Sequence, residues 1–193
     1  MEIAIIDYGA GNVQSVLFAL ERLGYTARVT TDAKKIQSAD KVIFPGVGEA
    51  SSAMARLKAT ELDRVIPKLQ QPVLGICLGM QLLCRHTEEG NTSGLGIFDA
   101  DVVRFSNQVK IPQIGWNTIT NLKSDLFRGI TAEPYLYFVH SYYVPLIPEC
   151  IATTDYQATF SSAIQKENFY GVQFHPEKSG EVGAQILTNF LRL

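Results

Sequence analysis

The segment Pro72-Val73-Leu74-Gly75-Ile76-Cys77-Leu78-Gly79-Met80-Gln81-Leu82-Leu83 constrains this chain more than any other. It opens as a short apolar run behind a proline, which reads as a buried strand. It closes as Leu78, Met80, Leu82 and Leu83 in a helix-forming context. Cys77 lies between them, with Gly75 two residues before it and Gly79 two after. Gly-x-nucleophile-x-Gly is the pattern of a sharp strand-to-helix turn. Strand and helix converge at such a turn, so a side chain two residues to either side collides, and the nucleophile is held in a strained conformation. The turn lifts the sulfur out of the sheet edge. It also aims the Leu78 N–H and the positive end of the helix at whatever the sulfur attacks, and that end favours thiolate over thiol. The same residues equally fit a buried cysteine between two packing glycines, and the rest of the chain decides between the two.

Residues 2–6 are rich in isoleucine and end at Asp7, as a central strand would. After the loop Tyr8-Gly9-Ala10-Gly11-Asn12, the spacing of Val13, Val16, Leu17 and Leu20 predicts a helix that Gly24 stops. Gly9 and Gly11 suggest a dinucleotide fingerprint, but Gln14 stands where its third glycine belongs, so a tight strand-to-helix turn explains them better. Residues 25–30 and 41–44 read as strands. The second runs into Pro45-Gly46-Val47-Gly48 and a helical stretch over 49–58, and the next strand is 73–76. Alternating strand and helix predicts an α/β fold with a mainly parallel central sheet and helices on both faces. Ligands bind beyond the carboxyl ends of such strands, which puts Asp7, the Pro45 loop and Cys77 on one edge.

Past Arg85 the character changes. Residues 86–96 are polar and glycine-rich, which predicts a mobile loop. Short strands are expected at 102–105, 114–119, 135–139, 150–154, 160–165 and 169–174, with no helix of any length between them. This half should therefore add hairpins and antiparallel strands. Residues 181–193 carry Val182, Ile186, Leu187, Phe190 and Leu191 at helical spacing, with Ser179 as the expected N-cap. Repeats and linkers are lacking, and 193 residues suit one domain over 1–193.

A net charge of −2 without a basic tract argues against nucleic acid as the main partner. Three cysteines, Cys77, Cys84 and Cys150, make no disulfide framework and no zinc spacing, so no metal is expected. Cys84 and Cys150 read as packing residues. The N-terminal apolar run is too short for a signal sequence, and no stretch is long enough to span a membrane. These features predict a cytoplasmic protein.

A cysteine nucleophile needs a base, an orienter for the base and an oxyanion hole. The histidines are His86, His140 and His175. His86 follows the Cys77 helix and suits a charge complement to its C-terminus. His140 and His175 each end a predicted strand. Glu177 lies two residues beyond His175, on the same side in extended backbone, so its carboxylate can reach the imidazole while Pro176 stiffens the link. Spacing alone favours His175 over His140 without excluding a surface His-Pro-Glu turn. The Leu78 N–H and the Gly46, Val47 and Gly48 loop are the candidate oxyanion donors. Gln81 is one helical turn beyond Cys77, within reach of the same pocket.

Gly75-Ile76-Cys77-Leu78-Gly79-Met80-Gln81 together with Gly171-Val172-Gln173-Phe174-His175-Pro176-Glu177 resembles the class I (triad) glutamine amidotransferases. Further marks narrow the resemblance to the glutaminase subunits of imidazole glycerol phosphate synthase, in histidine biosynthesis. These are Asp7 to Asn12, Pro45-Gly46-Val47-Gly48, Gly115-Trp116-Asn117, Tyr137-Phe138-Val139-His140-Ser141-Tyr142 and Lys178-Ser179. The resemblance spans essentially the whole chain, and no synthetase or cyclase domain is appended. It implies a flavodoxin-like amidotransferase fold that hydrolyses L-glutamine to glutamate and ammonia without a cofactor. Cys77 would form a γ-glutamyl thioester, His175 would act as acid and base, and Glu177 would orient His175. Gln81, Glu89, Ser141 and Tyr142 would hold glutamine. The ammonia would pass to a separate (β/α)₈-barrel cyclase docked through Asn12, Trp116, Tyr137 and Lys178, forming a heterodimer.

One departure from the wider family stands out. Many class I relatives carry adjacent glycines in the oxyanion loop, whereas here Val47 separates Gly46 from Gly48. A β-branched residue resists positive φ, which predicts an N–H turned away at rest and a flipped state favoured by cyclase binding or by the cyclase's ligand. Two rivals remain: a cysteine peptidase or other hydrolase on the same scaffold, which would share Cys77, His175 and Glu177, and a catalytically idle binding subunit, against which the intact triad argues. Among amidotransferases the vitamin B6 glutaminase comes nearest, but it lacks the Gly115-Trp116-Asn117 and Tyr137 to Tyr142 marks.

Overall fold

The computed structural model describes residues 1–193 except 10, 11 and 132. Ala10 and Gly11, within the predicted loop after the first strand, therefore lie outside the described residues. Strands β1 (Ile3–Ile6), β2 (Ala27–Thr30), β3 (Lys41–Gly46) and β4 (Val73–Cys77) alternate with helices α1 (Val13–Arg22), α2 (Ala33–Ser38), α3 (Ala50–Ala59) and α4 (Leu62–Val65). Helix α5 (Leu78–Leu83) leads into β5 (Cys84–Thr87), β6 (Thr92–Ser93), β7 (Phe98–Arg104), β8 (Gln113–Thr118), β9 (Tyr135–His140) and β10 (Tyr142–Tyr143). Strands β11 (Cys150–Asp155), β12 (Thr159–Lys166) and β13 (Phe169–Val172) precede the terminal helix α6 (Gly180–Arg192).

The main sheet has the order β11-β12-β13-β4-β3-β1-β2. Strands β2, β1, β3, β4 and β13 run parallel, and β12 and β11 are antiparallel additions. The expected α/β architecture follows directly from the isoleucine-rich strands. Ile3 and Ile5 face one hydrophobic cluster with α1 and α6, while Ala4 and Ile6 face the other with α3 and α5. A strand covered on both faces reads as a continuous apolar run because alternate residues serve opposite layers. Ile5 and Ile6 are fully buried, each stabilising the fold by about 1.5–3 kcal/mol.

A late strand, β13, brings the two halves together. It pairs with β4 in the register Phe169↔Val73, Tyr170↔Leu74, Gly171↔Gly75, Val172↔Ile76. The chain leaving β13 therefore emerges beside Cys77. Two smaller sheets complete the molecule: β10-β7-β5-β6, and the two-stranded ribbon β8-β9.

Several expectations need correction. Residues 86–96 are not a mobile loop. They form the second half of β5, the β6 strand and a tight turn over Glu89–Asn91. Their main chain is tied down, with Gly94 N–H donating to Arg85 O (2.8 Å), Leu95 to Leu82 O (2.8 Å) and Ile97 to Leu83 O (2.9 Å). Polar side chains on an edge strand look like a loop in sequence, but the backbone bonds do not depend on them. His86 lies on β5, where its Nε2 meets Asn91 Oδ1 at 3.0 Å, and so does not complement the end of α5. Helix α2 was not legible, because Ile36 is its only buried residue. Asp32 starts it, accepting from the N–H of Lys34 (2.9 Å). Ser179 sits where an N-cap belongs but makes no cap bond, because its hydroxyl is engaged at the site described next.

Candidate active site

Cys77 ends β4 and begins α5 with φ +53° and ψ −109°, a conformation that side chains rarely adopt. The flanking glycines explain how it is held. A Cβ on Gly79 would lie 1.9 Å from Phe44 O, and one on Gly75 would lie 2.8 Å from Met80 N. The predicted elbow is thus enforced by close backbone approach. Helix α5 is only six residues long, so its field on the sulfur is modest.

Beside the sulfur, His175 is 1% exposed and Glu177 is buried. His175 Nδ1 is 2.8 Å from Glu177 Oε1, as the two-residue spacing predicted. Nε2 is buried and free of other partners among the described residues, which leaves it for Cys77 and for a reacting group. Burial alone would lower the imidazole pKa. Hydrogen bonding and negative charge from Cys77 and Glu177 outweigh it and raise the pKa to about 10. An imidazolium is therefore stable between the sulfur and the carboxylate at neutral pH.

The turn carrying His175 is pinned from β9. His175 N–H donates to Tyr137 O (2.9 Å), Tyr137 N–H donates to Ser179 Oγ (2.9 Å), and Ser179 Oγ donates to His175 O (2.6 Å). Val139 O, on the same strand, is 3.7 Å from Cys77 Sγ. His140 is also buried, but its Nδ1 is 2.7 Å from Tyr142 O. Burial pushes its pKa down to about 4, partly opposed by that bond and reinforced by His175. A neutral imidazole committed to a carbonyl is a wall residue, which separates it from His175 as the base.

A cavity of about 280 Å³ opens over Cys77. Its wall includes Val47, Gly48, Leu78, Gln81, Glu89, Ser141 and Tyr142, which brings together all four residues expected to hold substrate and most of the oxyanion loop. Gly46 is buried in β3, paired with Cys77. Gly48 has φ +100°, whereas Val47 does not take positive φ. Glu89 reaches the cavity from the ordered turn, and its carboxylate accepts from Ala50 N–H (3.0 Å) at the start of α3. Burial raises its pKa, the Ala50 bond opposes the rise, and Glu49 adds to it. Asp7, although on the same sheet edge, lines no part of this cavity. Its Oδ1 instead accepts from Gly9 N–H (2.9 Å).

Two functional groups escaped the sequence. Tyr8 Oη donates to Pro45 O (3.0 Å), bracing the oxyanion loop from β1. Gln173 is fully buried, and its Nε2 is 3.6 Å from Cys77 Sγ. The signal for Gln173 was an amide directly after an apolar strand, one residue past the Val172↔Ile76 pair and so beside the nucleophile.

The family model for class-I glutamine amidotransferases matches residues 4–193. The chain belongs to that family. Curated relatives named imidazole glycerol phosphate synthase subunit HisH include one from Bacteroides fragilis (strain YCH46), 58% identical with both chains fully covered. Another, from Yersinia pestis, is 47% identical over the full length of both. A third, from Haemophilus influenzae (strain Rd), is 49% identical over 99% of this chain and 97% of its own. Solved structures share the amidotransferase fold. One titled a glutamine amidotransferase has a TM-score of 0.78 at 16% identity, covering 98% of this chain and 97% of its own. PurLQS from Thermotoga maritima has a TM-score of 0.76 at 18% identity, covering 99% and 97%.

Of the groups expected at a partner face, Trp116, Tyr137 and Lys178 lie together. Trp116 is 55% exposed, as are its ribbon neighbours Ile114 (58%) and Tyr135 (62%), so Trp116 is not a core residue. Its ring meets that of half-buried Tyr137 edge-on at 6.1 Å, and Lys178 Nζ sits 5.9 Å from the Tyr137 ring. Asn12 precedes α1 and accepts from Ser15 Oγ (2.7 Å).

Proposed function

We propose that this chain is the glutaminase subunit of an imidazole glycerol phosphate synthase, in L-histidine biosynthesis. End-to-end identity of 58% to proteins of that name is the observation that carries the reading. The buried Cys77–His175–Glu177 cluster supplies the chemistry.

Cys77 thiolate attacks the side-chain amide carbon of glutamine held in the cavity. The Leu78 N–H and the Gly46-Val47-Gly48 loop receive the developing oxyanion. His175 Nε2–H protonates the amide nitrogen, the C–N bond breaks, and ammonia leaves a γ-glutamyl thioester. Acylation removes the negative charge from the sulfur, which had helped to raise the His175 pKa. The imidazole, now neutral, takes a proton from water, and hydroxide attack releases glutamate and the thiolate. Glu177 keeps Nδ1 protonated and Nε2 aimed at the reacting atoms throughout. Gln81, Glu89 and the main chain at Ser141 and Tyr142 hold the amino-acid end.

The apolar face of Ile114, Trp116 and Tyr135, with Tyr137 and Lys178 beside it, suits docking of a (β/α)₈-barrel cyclase. That enzyme joins the ammonia to a phosphoribulosyl-formimino ribonucleotide, giving imidazole glycerol phosphate and an aminoimidazole carboxamide ribotide. Residues 1–193 act as a single amidotransferase domain in a heterodimer. Among the described residues no helix is long and apolar enough to cross a membrane. Together with free Cys77, Cys84 and Cys150, this supports a cytoplasmic setting.

The test is glutamate release by the purified chain, alone and with the cyclase and its ribonucleotide, beside Cys77→Ala. Strong release in the mixture, absent in the variant, supports the reading. No release under any condition overturns it.

A further inference from the structure

Gln173 is a polar side chain at 0% exposure beside the nucleophile, and the triad mechanism gives it no task. Its contacts form a chain with a fixed polarity. Tyr142 O is an acceptor only, and Gln81 Nε2 lies 2.9 Å from it, so Gln81 must present its NH₂ there. The same nitrogen is 2.9 Å from Gln173 Oε1 and donates its second proton to it. Gln173 therefore presents oxygen to Gln81 and keeps its own NH₂ for Cys77 Sγ, 3.6 Å away. Turning over Gln81 would set its oxygen against Tyr142 O, and turning over Gln173 would set NH₂ against NH₂, either of which is costly in a buried site. One main-chain carbonyl, itself also bonded by His140 Nδ1, thus dictates that the sulfur faces an N–H.

We propose that Gln173 is a positioning residue that donates to the Cys77 sulfur, holding it as a thiolate aimed into the cavity. As a thiol, Cys77 donates to Val139 O. As a thiolate, it gains from Gln173 a neutral donor in addition to His175. The other ionisable groups around the sulfur and its cavity are Glu177 behind His175, Tyr8 after β1, His140 at the end of β9, Tyr142 on β10 and Glu89 on the turn after β5. Gln173 offers the sulfur a donor at every pH, whereas the Tyr8 hydroxyl, which burial also keeps protonated, spends its proton on Pro45 O. The chain also constrains Gln81. Both of its N–H protons are taken up in the wall, so it can offer a ligand only its carbonyl oxygen. A ligand group meeting Gln81 must then be a donor, as an ammonium or a primary amide is. The proposal rests on Cys77 as the nucleophile.

Alkylation of Cys77 by iodoacetamide across a pH series, in the full chain, tests it without requiring turnover. Gln173→Leu removes the donor and should move the pH midpoint of alkylation up by about one unit, equivalent to about tenfold in thiolate at fixed pH. Gln173→Glu keeps the acceptor for Gln81 but sets a negative oxygen against the sulfur, and should move the midpoint further. Glutamine turnover should fall mainly in kcat for both variants. An unmoved midpoint in a folded variant overturns the proposal, whatever happens to kcat. Should both variants fail to fold, the side-chain amide protons of Gln173 in the parent protein decide the matter by NMR. One should shift upfield on alkylation of Cys77, and no shift overturns the proposal. A parent chain that alkylates normally but never hydrolyses glutamine would instead refute the glutaminase reading.

Discussion

The Cys77 elbow and the β8–β9 ribbon touch, yet they are built on opposite terms. Around the elbow, β4 and α5 are buried from Val73 to Leu83, and backbone approaches too close for a Cβ fix the shape. In the ribbon, every second side chain faces out, and Ile114, Trp116 and Tyr135 remain exposed after folding. Folding of this chain alone specifies the first region, whereas it leaves the outer face of the second uncovered. Strand β9 belongs to both. Its outer edge carries Tyr137 beside Trp116, while its main chain holds the His175 turn and approaches the sulfur at Val139 O. The exposed face of the ribbon is thereby one hydrogen bond away from His175.

Substitutions should separate the two regions. Gly79→Ala strikes the elbow where a Cβ would meet Phe44 O at 1.9 Å. It should cost about 4 kcal/mol or more in chemical denaturation, because backbone rather than a flexible side chain must move. Glu177→Gln should leave folding nearly intact and lower glutamine turnover by about 10²–10⁴-fold, through loss of imidazolium stabilisation and tautomer control. Steady-state kinetics with the cyclase present would measure it.

Acid should weaken the junction between the regions. His140 titrates near 6.5 when unfolded and near 4 when buried, so its neutral form stabilises the fold above about pH 6.5. That contribution, about 3 kcal/mol, is lost as pH falls from about 6.5 through about 4. His140→Gln should flatten that arm of a stability–pH curve. His175 has the opposite sign, since its raised pKa gives stability that fades as pH rises from about 6.5 through about 10.

At the ribbon, Trp116→Ala should leave the melting temperature nearly unchanged. It should weaken cyclase binding by about 2 kcal/mol, roughly 30-fold in Kd by titration calorimetry. Equal losses in folding and binding would dissolve the distinction between the regions. The smallest effect is expected at Val47→Gly, a few-fold rise in glutaminase activity of the isolated chain. An unchanged basal rate would show that Val47 does not restrain the oxyanion loop.

The elbow was legible in sequence because its causes are local: two glycines, a nucleophile and apolar flanks. His175 and Glu177 were legible through their mutual spacing, but their meeting with Cys77 depends on β13 pairing with β4 across nearly a hundred residues. Periodicity alone does not reveal that pairing. Gln173 was missed for the same reason, since its value lies in its register with Cys77. The turn bearing Glu89 was misread because side-chain polarity describes exposure, whereas its order comes from main-chain bonds to Leu82, Leu83 and Arg85. Residue type does not tell core from surface for Trp116 and Tyr137, and only the pairing of β8 with β9 shows which face each occupies.

The most direct test is to quench turnover of isotopically labelled glutamine in acid and map the label by peptide mass spectrometry, with cyclase and ribonucleotide present. The account predicts a γ-glutamyl group on the Cys77 peptide. It should be more abundant in His175→Asn, where the thioester cannot be hydrolysed efficiently, and absent from Cys77→Ala. Glutamate production with no label on Cys77 in any form would contradict it.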